Sequence, residues 1–375
     1  MELKPNFYVI ILAAGFATRL RPISNKIPKP LIEINGKTII FRIISNFKEA
    51  GFNKFCVIVG YKKELLIKEI LKNKKVEILI AEQKEISGMA NAIEVAIKRI
   101  NQNQSNEEIY NYFITAADII FTKEELLKMY NLFENSHADM ILSLMKSNDI
   151  DIARGHGNVK IAESSDLAMD LDCNQGLQII DIIEKPKVHQ ILSDYYSLPL
   201  YLVNQKIIKC LKTVRVSERG EKEFQDGIKN AIAQGENIRG IRIIKNSITI
   251  SNIGKFHLTN LEDIIKMNNR FLNGSNLGNI EGSIAKYVEP INIKNDTKIE
   301  NNVLLGPYTT IGKSCTIGDS SKISNTIIYD RVKVGKFCEL DWCMIDENVE
   351  LPENFRAKEC FITRNNEKDL EIINF

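Results

Sequence analysis

Histidine is scarce in this chain. The four present, His137, His156, His189 and His257, all lie before residue 258. Cysteine is present but unpatterned: residues 56, 173, 210, 315, 338, 343 and 360 are odd in number, widely spread and never spaced C-x-x-C. That excludes a zinc or dithiol motif and a disulfide framework, and reads as a set of reduced thiols in a cytoplasmic protein. Net charge is close to zero, formally +2, so there is no electrostatic footprint for nucleic acid. No run of Lys and Arg is long enough to meet an anionic membrane surface. The apolar stretch Phe7 to Ala14 is too short to cross a bilayer and has no signal-peptide flanks. Any anion bound by this chain must therefore be held by a local arrangement of residues.

A length of 375 residues is more than one small core needs and points to two domains. Up to about Phe271, apolar runs of strand type alternate with amphipathic helical segments, predicting an α/β domain with a mostly parallel sheet. Strands are predicted at Tyr8–Leu12, Lys54–Val59, Glu77–Ala81, Tyr112–Ala116 and Met140–Leu144, and helices near Ile39–Ala50, Lys63–Leu71, Ala90–Ile100 and Lys123–Phe133. We place this domain at 1–272, a Gly/Ser/Asn-rich linker at 273–287, a repeat domain at 288–362 and a tail at 363–375. In the repeat domain aliphatic residues recur every six positions, at Ile293, Ile299, Leu305, Ile311, Ile317 and Ile323. After a five-residue step they continue at Ile328, Val334 and Leu340, and after another at Ile345 and Leu351. A small or apolar residue follows each by four, from Thr297 and Val303 through Cys315, Ile327, Cys338 and Met344 to Phe355. This is the hexapeptide period of a parallel β-helix, three hexads to a triangular coil. One coil cannot bury its own face, so the coils must stack into a rod. Cys315 and Cys338 then serve as inward packing residues.

The first strand runs into G-F-A-T-R-L-R-P-I-S-N-K-I-P-K-P-L, residues Gly15 to Leu31. Small residues at Ala13, Ala14 and Gly15 let a ligand approach the backbone, and Gly15 is expected to supply a turn that a Cβ would obstruct. Arg19 offers a bidentate fork and Lys29 a point charge, a pairing suited to phosphate groups, while Pro28 and Pro30 restrict the backbone around Lys29. Two other stretches, Gly36-Lys37-Thr38 and Gly312-Lys313-Ser314, look like the end of a P-loop, but the upstream glycine position is held by Leu31 and Pro307.

The Gly15–Leu31 stretch closely resembles the signature of the sugar nucleotidyltransferases, usually G-x-G-T-R-L-x-P-x-T followed by P-K-P-L, and the resemblance extends over nearly the whole chain. It implies a Rossmann-like nucleotidyltransferase domain followed by a left-handed parallel β-helix. It also implies nucleotide contacts at Leu12, Ala13, Ala14, Gly15, Gln83 and Gly88, the last two in a segment similar to one that recognises a pyrimidine base. Ala117-Asp118 stands where the family has Gly-Asp, which makes Asp118 a magnesium ligand. Glu184-Lys185-Pro186 matches the family's E-K-P, with Glu184 and Gly157 facing the sugar and Lys185 its phosphate. Arg219 to Asp226, R-G-E-K-E-F-Q-D, resembles a segment common in the subgroup that uses glucose 1-phosphate. Four positions depart from the pattern: Ala17 and Ala117 replace glycines, Met89 replaces Thr, Leu or Ile, and Asn252 replaces a second metal-binding aspartate. Y-Y-S-L-P-L-Y at Tyr195–Tyr201 also lacks the glycine of the usual sugar-contact segment.

The implied reaction is attack by a sugar 1-phosphate on the α-phosphorus of a nucleoside triphosphate, with Arg19, Lys29, Asp118 and Lys185 as the catalytic set and Mg2+ on Asp118 and Asn252. The nucleophile is already anionic, so positioning and charge neutralisation carry the catalysis and no general base is required. UTP or dTTP and glucose 1-phosphate are the expected substrates. Guanylyl transfer to mannose 1-phosphate, uridylyl transfer to N-acetylglucosamine 1-phosphate, and a non-catalytic nucleotide-sugar-binding paralogue are the alternatives. Acyl transfer by the rod requires a histidine that the repeat does not contain. Homo-oligomers are expected, and neither nucleic acid nor membrane is an expected partner.

Overall fold

The computed structural model describes residues 3–72, 76–103, 110–153, 155–162, 176–244, 248–249, 251–278, 280–281, 284–365 and 367–375. Cys173, and Asn279, Gly282 and Ser283 of the glycine-rich stretch, lie outside the described residues. By their contacts the residues divide into two units, one of residues 1–18, 22–32 and 38–253, the other of residues 19–21, 33–37 and 254–375.

The first unit is built on a nine-stranded sheet. Its strands are β1 (Phe7–Ala13), β2 (Lys54–Val59), β3 (Glu77–Glu82), β4 (Asn111–Ala116), β5 (Met140–Lys146), β6 (Gly157–Ile161), β7 (Leu177–Glu184), β8 (Tyr195–Val203) and β9 (Ile238–Arg242), in the order β3-β2-β1-β4-β8-β5-β9-β7-β6. The first four strands are parallel, as predicted; β8 then enters antiparallel between β4 and β5. Helices α1 (Ile39–Glu49), α2 (Lys63–Ile70), α3 (Met89–Gln102), α4 (Lys123–Ser136), α5 (Gln205–Leu211) and α6 (Phe224–Ala233) complete the unit. The run F-Y-V-I-I-L-A of β1 is apolar throughout because both faces of the strand are covered. Tyr8 and Ile10 join a core with Ile93 and Ala96 of α3. Phe7 points the other way into an aromatic cluster, 5.6 Å from the Phe52 ring and 6.5 Å from Phe113. Helix α4 starts at a reciprocal capping box, Thr122 accepting from the Glu125 amide and Glu125 from the Thr122 amide, which the sequence T-K-E-E encodes.

The chain visits β1, β2 and β3 on one side and then returns to place β4 on the other side of β1. The strand order thus reverses beside β1, and such a point opens a crevice at the carboxyl ends of the strands.

The second unit is a three-sided stack of short parallel strands. Ile293 pairs with Ile311 and Ile317 with Val334, steps of 18 and 17 residues between coils. Every aliphatic repeat position from Ile293 to Leu351 is buried, as are Cys315 and Cys338. Two of the residues that follow a repeat position by four differ from the others. Ile327 and Met344, each four residues after a repeat position, are outside the rod's apolar core; Thr326 and Cys343 take the inward place, and Cys343 is part of that core. The cause is the five-residue step. Removing one corner residue puts Ile327 opposite Thr310 and Met344 opposite Ile327, and strand alternation sends that column outward. Helix α7 (Leu261–Phe271) packs on strands of this face, with Asn268 donating to Thr310 Oγ1 (3.0 Å).

The expected linker is also corrected. Ser275–Leu277, Ile280–Glu281 and Lys286–Tyr287 are strands that pair with the coil above them, so these described residues of the stretch belong to the rod. Leu370–Asn374, expected as tail, pairs antiparallel with Arg356–Arg364 and ends the stack. Asn35-Gly36, at the start of the P-loop-like Gly36-Lys37-Thr38, turns a two-strand hairpin with φ of 45° and 74°, the left-handed pair that Asn-Gly accommodates.

Candidate active site

The end of β1 is secured on both sides. Tyr61 N donates to Ala14 O (3.0 Å) and Ala117 N to Leu12 O (3.0 Å). Gly60 was not singled out in the sequence, yet a Cβ there would lie 2.8 Å from Ala14 Cβ, so β2 can close on the loop only through a glycine. V-I-V-G at the end of a predicted strand was the available signal. Gly15 behaves differently from expectation: nothing lies within 4 Å of where its Cβ would be and its φ is not in the left-handed region. The protein itself does not require a glycine there; the position faces open space. The unusual backbone is at Ala17, with φ of 51°, where an alanine is strained and a glycine is not. Ala117 carries no positive φ, which accounts for a side chain being tolerated before Asp118.

Lys29 and Asp118 come together across the switch point. Lys29 stands in a 3-10 turn opened by Pro28 and Pro30, Asp118 follows β4, and Lys29 Nζ is 2.9 Å from Asp118 Oδ2 with both side chains about four-fifths covered. Arg19 is exposed in the 3-10 turn Thr18–Leu20, and its contacts group it with the second unit. The side-chain oxygen of Asn252 accepts from Thr249 N (3.0 Å) and so caps its own turn.

Gln83, directly after β3, is buried. Its amide donates to Gly88 O (3.1 Å) and Asn91 Oδ1 (3.0 Å), which ties the loop before α3 into a fixed shape. Gly88 has φ of 101°, and a Cβ there would strike Lys222 O at 2.5 Å.

A second group of candidate residues gathers where three strands meet. Gly157 pairs with Ser197 of β8 and with Glu184 of β7, and β8 breaks register between Ser197 and Tyr201, a bulge of the kind that re-aims side chains beside functional sites. Ser197 Oγ, Gln225 Cγ and Glu184 Oε2 lie 2.7, 3.2 and 3.2 Å from the point a Gly157 Cβ would occupy, so the close approach of the three leaves room only for a glycine. Glu184 Oε2 is buried without a hydrogen-bond partner; Oε1 faces Lys185 Nζ at 3.6 Å. Burial pushes the Glu184 carboxyl up to about 7, with Lys185 opposing and Glu223 adding to the shift. Lys185 adopts φ of 46° and donates its amide to His156 O (3.2 Å). Tyr201, held by Ser197 and Gln225, is shifted upward by burial. Arg219 grips the buried Glu223 through Nε (3.2 Å) and Nη2 (2.6 Å). Ser197, Tyr201 and Gln225 were not legible one by one, because the bulge and the β6 pairing that gather them have no local sequence signature.

Comparisons with known proteins identify the chain's relatives. Residues 8–245 match the nucleotidyl transferase family and residues 287–368 the GMPPB C-terminal domain. The chain is 28% identical to the bifunctional protein GlmU of Methanococcus aeolicus over 363 residues, 91% of this chain and 78% of the relative. It is 28% identical to the UTP–glucose-1-phosphate uridylyltransferase AglF of Haloferax volcanii over 235 residues, 62% of this chain and 87% of the relative. The fold resembles that of a UDP-glucose pyrophosphorylase crystallised with UDP-glucose, at a TM-score of 0.50 and 19% identity, covering 64% of this chain and 90% of that one. With the family matched over 8–245, more than half its length, this chain belongs to the nucleotidyl transferase family.

Proposed function

We propose that the chain transfers a nucleotidyl group from UTP or dTTP to a sugar 1-phosphate, with glucose 1-phosphate the favoured acceptor, and releases pyrophosphate. The observation that carries this reading is the Lys29–Asp118 pair at the switch point, in the same unit as the buried, unpartnered Glu184 Oε2 that packs against Gly157. The relatives named for uridylyl transfer to glucose 1-phosphate and for UDP-glucose support the choice of substrates.

In this reading an oxygen of the sugar phosphate attacks the α-phosphorus, the bond from that phosphorus to the bridging oxygen breaks, and pyrophosphate departs with the electron pair. Lys29 holds the triphosphate, Lys185 the attacking phosphate and Arg19 the departing pyrophosphate. Leu12 to Gly15 present backbone to the nucleotide, Gln83 and Gly88 frame its base, and Glu184 with Gly157 receives the sugar. Bringing two anions into line is the main barrier, and cationic positioning lowers it.

The family generally uses Mg2+, and the residues fit that ion. Magnesium takes one or two carboxylates and completes its shell with substrate phosphates and water; Asp118 supplies the carboxylate and already holds a cation, the Lys29 ammonium. Bound there, the ion would neutralise charge on the α-phosphate. Asn252 remains a proposed second ligand, with its oxygen engaged in a turn.

Pyrophosphate release measured over a panel of triphosphates and sugar 1-phosphates tests the proposal. We expect turnover with UTP or dTTP and glucose 1-phosphate, falling by about a hundredfold or more in Asp118→Ala and Lys29→Ala. Turnover confined to GTP and mannose 1-phosphate overturns it.

A further inference from the structure

Gln83 ends in one carbonyl and two N–H groups, and the protein takes up both N–H groups. Its backbone N donates to Val59 O (2.9 Å), and the residue is buried. From Nε2 one bond goes to Gly88 O (3.1 Å) and the other to Asn91 Oδ1 (3.0 Å). Among the described residues Oε1 makes no hydrogen bond, and it is not a buried atom. The two acceptors are themselves fixed. Gly88 O also accepts from Ala92 N (3.3 Å), while Lys222 N donates to Ser87 O (2.8 Å) and Ala90 N to Lys222 O (3.1 Å). Backbone bonds thus hold both the loop and the first turn of α3. Asn91 stands in that turn, where a helical Cβ points toward the N-terminus and carries its side chain to Gln83. Rotating the Gln83 amide by half a turn would set Oε1 against two other oxygens, acceptor facing acceptor, so the amide has one orientation.

Resting on the reading above in which Gln83 meets the base, we infer that Asn91 is a positioning residue that selects uracil or thymine over cytosine. By occupying the second N–H of Gln83, it leaves an acceptor alone to face the base. The ring nitrogen N3 of uracil and thymine carries a proton, which Oε1 accepts. In cytosine the same nitrogen carries a lone pair, which Oε1 repels and a free Gln83 N–H would satisfy. A site that hydrogen-bonds one ligand and leaves its polar groups unmatched against another discriminates far more strongly than an apolar contact does. Gly88 O occupies only one N–H, so without Asn91 the other returns to the site and the distinction weakens. Asn91 acts only through Gln83.

The test is the rate of pyrophosphate release by the full chain with magnesium and glucose 1-phosphate, compared for UTP, dTTP and CTP. The unaltered chain is expected to favour the better of UTP and dTTP over CTP in kcat/KM. Asn91→Leu, close in shape but without an acceptor, reduces that preference about tenfold or more, and the smaller Asn91→Ala does the same. The KM for glucose 1-phosphate stays within about twofold, whereas a general loosening of the fold would move it and would not favour CTP. Asn91→Asp keeps an acceptor at the same place and keeps most of the preference. A preference unchanged in both Asn91→Leu and Asn91→Ala, or lost as fully in Asn91→Asp, overturns this inference and leaves the substrate reading intact. An unaltered chain that favours CTP or a purine triphosphate overturns both.

Discussion

Glu184 is a carboxylate whose chemistry is strongly altered by its surroundings. Its carboxyl is held near 7, well above the ordinary carboxylate range, so the folded protein binds its proton more tightly than the unfolded chain. The stability this contributes is fully present below about 4.5 and is lost as pH rises to about 7, each pH step of one between those limits costing roughly 1.4 kcal/mol. We expect Glu184→Gln to be the more stable protein at pH 8 by about 2–3 kcal/mol, with the advantage closing as pH drops toward 5. Urea midpoints of both proteins at the two pH values check this. A parent protein that is at least as stable as the variant at pH 8 would mean the carboxylate is better solvated than its burial indicates. Under the proposed function the unpartnered Oε2 would accept from a hydroxyl of the sugar, which is a reason to retain the cost.

Among the elements, the coils of the rod carry an unusual demand at their corners. Residues from Asp296 (φ 64°) through Tyr308, Phe337 and Trp342 to Glu359 (φ 53°) all adopt the left-handed region without being glycine. Asn, Asp and Ser at many corners meet this through local hydrogen bonding, whereas Phe337 is half exposed and aromatic. Phe337→Asn should therefore stabilise the rod by about 0.5–1 kcal/mol. The readout is the unfolding midpoint followed by the fluorescence of Trp342, the sole tryptophan of the chain, and an unchanged or lowered midpoint counts against it. The six-residue period announced the rod without ambiguity, and its inward aliphatic positions were all legible. The outward turn of Ile327 and Met344 was not, because one deleted corner residue changes which side chain faces in while leaving composition almost untouched.

On the scale of the whole molecule, the chain does not divide where its composition changes. The glycine-rich stretch after Asn273 marks a change of period, but residues 33–37 and 254–272 are grouped with the rod by their contacts. The hairpin is fastened there through Asn35, whose amide N donates to Asn268 Oδ1 (2.7 Å) and whose side chain donates to Phe271 O (2.9 Å) and accepts from Asn292. Lys294 Nζ adds an ion pair to Glu33 (2.7 Å). Asn35→Ala removes both side-chain bonds and strains a left-handed position, so we expect a loss of about 2–3 kcal/mol in the transition reported by Trp342. A midpoint within error of the parent would show the hairpin to be a passenger on the second unit.

The sequence by itself determined the alternation of strand and helix, the six-residue period, and the glycine and lysine of the first loop. Each of these is written in local spacing, which backbone geometry converts directly into an element. Tertiary structure alone decided that Lys29 reaches Asp118, 89 residues away, that Glu184, Ser197 and Gln225 converge on the space left by Gly157, and that Lys222 grips the loop of Gly88. Those contacts depend on strand order, register and a bulge, and each of these is settled by the packing of distant segments against one another.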